Sequence, residues 1–178
     1  MNTIKYIRDQ IKNAHGLLEA TMSDVSSQHA QWLPAGTALP VGAVYSHMVQ
    51  SEDTTVNMLL KKGQPLMTTS FLNKTGASEL MPMPGEDWSK KHADWAKKVV
   101  VDLVAAKEYA QAVYQATDEY IGSLTDEDLN KPVDLSIFGM GQVTLAWVID
   151  RFISGHCDNL AGEIAALKGL QGLKGYPF

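Results

Sequence analysis

The sequence predicts an all-α protein built on four long helices, with a long loop before the third. Three observations predict it. Apolar residues recur at three- and four-residue steps through four separate stretches. The prolines fall between those stretches rather than inside them. The only candidate extended segment, VDLSIFGMGQV, carries two glycines, which argue against a real sheet.

From Thr3 to about Val25, the residues Ile4, Ile7, Ile11, Ala14, Leu18 and Met22 draw the apolar face of a first helix. SSQHAQWLPAGTALP breaks it, with Pro34, Gly36 and Pro40 as stops, and Pro40 suits the first turn of a second helix. That helix, VGAVYSHMVQSEDTTVNMLLKK, presents Val44, Tyr45, Met48, Thr55, Met58 and Leu59 on one side. His47 and Ser51 lie at the border of that side, Glu52 and Asp53 read as a partly exposed face, and Gly63 ends the helix. The segment Gln64 to Asp87 has no period and holds three prolines and two glycines. At that length it reads as a packed lid or functional loop rather than a bare linker.

Asp87 suits the cap of a third helix, in which Trp88, His92, Trp95, Val99, Leu103, Ala106, Ala110, Val113, Thr117, Ile121 and Leu124 stay in phase. The expectation is one long helix, or two collinear pieces with a bend, whose Trp88–Trp95 end overhangs or kinks. Thr125 and Asp128 have the spacing of a capping box for one short turn, which Pro132 stops. In the fourth stretch, Gln142 to Gly169, one stripe gathers Leu145, Ile149, Phe152, Ile153, His156, Leu160, Ile164 and Leu167, with Lys168 off its centre. This broad apolar face carries an imidazole at its middle. The tail LQGLKGYPF is expected to fold back onto the helices.

Composition bounds the function. A chain of 178 residues fills one core, and nothing forces a second domain, so residues 1–178 read as one unit. A net charge of −5, with the basic residues spread out, argues against a nucleic-acid partner. One cysteine, Cys157, excludes an internal disulfide framework and fits a reducing compartment. No run is apolar enough to span a bilayer, and MNTIKYIRDQ has no cleavable apolar core, so no membrane partner and a cytoplasmic location are expected.

The histidines carry the candidate chemistry. His156 sits centrally in the last helix, His47 borders the second, His15 lies at the edge of the first, and His92 is in phase on the third. Imidazoles on facing helices are how divalent metal sites are built inside helical proteins. No HxxxH or HExxH motif is present, and His15 and His92 read as packed residues, each with one hydrogen bond. Cys157 points about 100° away from His156 on a helix, so it reads as a small buried thiol rather than as half of a nucleophile pair. Trp32, Trp88 and Trp95 are candidates to line an apolar cavity, and Met48, Met58, Met81 and Met83 to fill core.

The order of these features resembles the DinB/YfiT-like superfamily of four-helix bundles, which includes the mycothiol-dependent maleylpyruvate isomerases. The likeness runs through the WLPAG…H…ED passage, the long tyrosine-containing third helix, the LTDEDL turn and the ending GEIAALKGLQG. The resemblance implies an up-and-down bundle, a homodimer, and a divalent metal held by one histidine of the second helix and a pair four apart on the fourth. His47 matches the first position and His156 the second, but Leu160 stands at the third and offers no lone pair. Asn159, Glu163 and His15 are the nearest substitutes. Two functions follow as expectations. In one, a weakly held zinc or nickel assists thiol transfer or hydrolysis on a small-molecule or thiol substrate. In the other, the cavity binds a small ligand or partner without catalysis and metal binding is gone.

Overall fold

The computed structural model describes residues 2–178. α1 (Thr3–Met22) starts at Asn2, whose side chain accepts from the Lys5 N–H at 2.8 Å. α2 (Ser27–Gln31) is a short helix inside the first break, capped by Ser26 and His29. α3 (Val41–Asp53) follows Pro40 and runs without interruption into a π-helical turn, Thr54–Leu60, in which the Lys61 N–H reaches back five residues to the Val56 carbonyl at 2.9 Å.

The expected third helix is two helices, α4 (Trp88–Ala96) and α5 (Leu103–Gly122). Between them the chain is extended and pairs with the long loop. Ala77 bridges Val101, Ser78 N–H donates to the Val100 carbonyl at 2.9 Å, and Asp102 N–H donates to Gly76 at 2.8 Å. Those backbone groups are spent on the loop and are unavailable to a continuous helix. Gly76 permits this close approach, with φ +78° and its α-carbon turned toward the backbone of Ala106. Asp102 caps α5 through Val104 and Ala105, whereas Asp87 starts α4 in a left-handed conformation with no side-chain cap.

VDLSIFGMGQV does form a sheet, contrary to expectation. β1 (Pro132–Asp134) and β2 (Gln142–Thr144) are antiparallel with Val133 opposite Val143. Gly139 and Gly141 lie in the connection at φ +72° and +67°, so they make the turn and leave the strands intact. Thr144 then caps a continuous helix made of α6 (Leu145–Val148), a second π turn (Ile149–Ser154) and α7 (Gly155–Leu170).

α1 and α3 each pack against both α5 and α7. The larger core cluster includes Leu18, Val44, Met48, Tyr109, Val113 and Ile164, and a smaller one joins Ile11, Val56, Ile121, Leu145 and Ile153 where the two π turns lie. The inward face of the last helix is rotated from the expected stripe. Ile153, Cys157, Ala161, Ile164 and Lys168 are buried, and His156 and Leu160 are half-buried at its border. Lys168 is only 2% exposed, donating to the Thr21 carbonyl at 2.6 Å and pairing with Asp24. The tail returns over α7, with Gly175 beside Ala165 and Tyr176 beside Gly162. Among the described residues no helix is long and apolar enough to cross a membrane.

Candidate functional site

His47, on α3, is where four segments converge. One turn on, the Gln50 side chain is fully buried; it donates to Ser46 at 2.8 Å and accepts the Met81 N–H at 2.9 Å. That bond brings the loop over the helix and sets the Met81 Sδ 2.9 Å from His47 Nδ1. α4 is tied to the same loop through indole N–H bonds, Trp88 to the Pro82 carbonyl at 3.1 Å and Trp95 to Glu79 at 3.0 Å. Between those tryptophans His92 stacks on Trp88, ring centres 4.8 Å apart, and its Nε2 lies 3.1 Å from His47 Nδ1. His156 arrives from α7 and meets the His47 ring edge to face at 5.1 Å. The structure therefore brings His47 and His156 together and adds His92 and Met81 to them.

Both π turns face this point. Thr54 and Thr55 from the first, and Arg151 and Phe152 from the second, line a cleft of about 290 Å³ above the imidazoles. Met81, Pro84, Trp88 and Phe138 complete its apolar walls. The second turn depends on Gly155, whose N–H reaches back to Asp150; a methyl group there would sit 2.7 Å from the Asp150 carbonyl oxygen. π turns of this kind recur at functional sites.

Burial, then the nearby His156 and His92, push the His47 pKa down to about 3. Burial also lowers His92 and His156, against a raising influence of Glu52 on the latter. At neutral pH the floor of the cleft is thus a set of uncharged imidazoles. Among the described residues Arg151 is the one formally charged residue lining the cleft, its Nε 3.4 Å from Asp150.

A second polar layer lies beneath. Glu52 and Asp53, expected to be partly exposed, are both fully buried. Glu52 meets His15 at 2.9 Å and accepts from Thr117 at 2.6 Å, while His15 stacks on Tyr114. Asp53 accepts from Asn57, from the N–H groups of Leu66 and Met67, and from the Tyr109 hydroxyl at 2.7 Å. With His15 held by Glu52 and with Asn159 and Glu163 exposed, no substitute stands at the third family position. Leu160 packs against the main core there. Among the described residues no three His, Cys, Asp or Glu side chains gather closely enough to hold one ion, so the donors present fit a divalent triad incompletely. Cys157 is fully buried and burial pushes its thiol pKa well up, which keeps it the inert protonated thiol.

Spacing assigns His92 to packing and Met81 to the core, and the structure sets both beside His47. The Trp88, His92, Trp95 spacing marks an aromatic helix face, but the fold-back that aims it at His47 needs the loop pairing described above. Of the three tryptophans proposed for a cavity, Trp88 lines the cleft, Trp95 is buried behind it, and Trp32 is 37% exposed elsewhere.

The sequence pattern of the DinB superfamily matches residues 10–159. A crystal structure described as the conserved protein of locus from Enterococcus faecalis superposes with a TM-score of 0.78 at 21% identity, covering 96% of this chain and 97% of that one. The two share a fold. No curated protein matches the chain.

Proposed function

Because the chain belongs to the DinB superfamily, we propose that it acts through the cleft above His47 and His156, binding a small, mostly apolar molecule with an anionic end. The four long helices are read with it as the family's up-and-down bundle. The observation that carries this reading is the lining: Met81, Pro84, Trp88, Phe138 and Phe152 form apolar walls, uncharged imidazoles the floor, and Arg151 the single cation. A volume of about 290 Å³ suits a ligand at the small end of those that proteins enclose. Such walls supply binding by removing apolar surface from water, and a lone guanidinium selects an acidic group. Titration with anilinonaphthalene sulfonate tests it. One dye per chain should bind, octanoate should displace it, and Trp88→Ala should abolish the enhanced fluorescence. Dye binding unaltered by Trp88→Ala would place the apolar site elsewhere.

A second reading keeps a divalent zinc or nickel ion for thiol transfer or hydrolysis. It is favoured by the approach of His47 and His156, ring centres 5.1 Å apart. Bound there, the metal would supply Lewis acidity toward a thiol or water. The position that lacks a donor is Leu160, so Leu160→His should lower stability without metal and gain melting temperature with added zinc well beyond the natural sequence. Equal responses of the two proteins would remove Leu160 as the deciding residue.

A homodimer remains part of the proposal. Its support moves from the tryptophans, which pack inward, to Val100, in the extended segment before α5, and Val104 in the first turn of α5, 59% and 73% exposed. Light scattering should give twice the chain mass, reduced to one by Val104→Glu.

A further inference from the structure

We propose that His47, His92 and Met81 form a binding site for a soft monovalent metal ion, copper(I), using two donors that lie outside the positions the DinB resemblance implies. His47 Nδ1 faces Met81 Sδ at 2.9 Å and His92 Nε2 at 3.1 Å. A ring nitrogen offers at most one proton, and a thioether sulfur only accepts. If His47 donates, its single proton is forked between the His92 nitrogen and the Met81 sulfur. If it accepts from His92, two lone-pair atoms face each other across 2.9 Å. One cation shared by the three atoms takes up all three lone pairs at once. Ligands about 2.0–2.3 Å from an ion stand roughly 3.4 Å apart or a little more, so His47 Nδ1 needs part from the Met81 sulfur and from the His92 nitrogen only by some tenths of an ångström.

The donor set decides which ion. All three groups are neutral, and no Asp or Glu lines the cleft above them. A divalent ion taken out of water there would carry a charge that nothing offsets, and thioether sulfur prefers soft copper(I) over zinc or nickel. The site is held in shape. Met81 is fixed by the buried Gln50, and His92 is clamped between Trp88 and Trp95, ring centres 4.8 and 5.3 Å away. His156 stands beside His47 as a neighbouring imidazole. No electron transfer is involved; the ion is bound as copper(I) and released as copper(I).

The test uses the full chain, stripped with chelator and kept anaerobic. Copper(I) is supplied as its acetonitrile complex and competed against the chromophoric chelator bicinchoninate. One equivalent should be withdrawn from the chelator, and X-ray absorption should show one sulfur among nitrogen neighbours. Met81→Leu conserves volume, and circular dichroism verifies that it folds; its affinity should fall at least about tenfold. His92→Gln should weaken binding similarly. Cys157→Ala should bind as the natural chain does, and zinc should bind more weakly than copper(I). Binding unaffected by Met81→Leu, lost in Cys157→Ala, or weaker than that of zinc would overturn the proposal. Dye and octanoate binding by the copper-free protein is read separately, so failure of this site leaves the ligand cleft standing, and the reverse.

Discussion

Gly155 and His47 hold the residue-scale argument. A β-carbon at Gly155 would meet the Asp150 carbonyl at 2.7 Å, against backbone that cannot swing aside as a flexible side chain would. Gly155→Ala should therefore destabilise the chain by about 1–3 kcal/mol in urea unfolding and shift the imidazole signals of the adjacent His156. No change would mean that the π turn relaxes freely. For His47 the sign runs through the unfolded state. An unfolded imidazole takes a proton near 6.5, whereas the folded one stays neutral down to about 3. Below 6.5 the unfolded chain binds more protons, so stability is full above that value and falls as pH drops toward 3. His92 and His156, also lowered, act in the same direction. The melting temperature should fall between pH 7.5 and 5, and His47→Asn should flatten part of that fall; a level profile would contradict neutral imidazoles. At this scale the approach of His47 to His156 was legible, because both lie on or beside apolar stripes of helices that pack together. Glu52 and Asp53 were not. An acid on a helix reads as solvated unless its partners are known, and His15, Thr117 and Tyr109 come from distant segments.

At the scale of elements, the four long stretches were legible from their period, and the two π turns were not. A π turn adds a residue to the helix turn and so shifts the face that follows. After Thr54, Val56 is buried and Met58 is 36% exposed, the reverse of what an unbroken 3.6-residue period assigns. The same slip moves His156 from the centre of the stripe to the border of the buried face, where it lines the cleft. The break between α4 and α5 was hidden for a related reason: apolar phase continues through it, while the loop pairing that opens it is long-range. Asp53 is the joint of this arrangement, tying α3 to the loop at Leu66 and Met67 and to α5 at Tyr109. Asp53→Ala leaves these buried donors unanswered. It should cost on the order of 3 kcal/mol and raise amide exchange across residues 64–87 more than in α1. Uniform loosening of the whole chain would argue that the loop is not separately anchored.

Across the whole molecule, the long loop and α4 act as a cover laid over α3 and the start of α7, with the cleft beneath. A packed loop was legible from its length and prolines, and the mostly helical character of the chain from its periodicity, the small β1–β2 sheet excepted. What the cover contributes to the site, Met81 and His92, could not be read, since it depends on a fold-back between segments more than thirty residues apart. The central claim is that apolar walls and one guanidinium select a small anionic amphiphile. Tryptophan fluorescence titration with octanoate and octanol, matched in length, tests it most directly. The natural chain should bind octanoate at least about tenfold more tightly, a difference of about 1.4 kcal/mol, and Arg151→Gln should erase the difference while leaving octanol binding unchanged. Equal affinities for acid and alcohol in the natural chain, or a preference that survives Arg151→Gln, would contradict it.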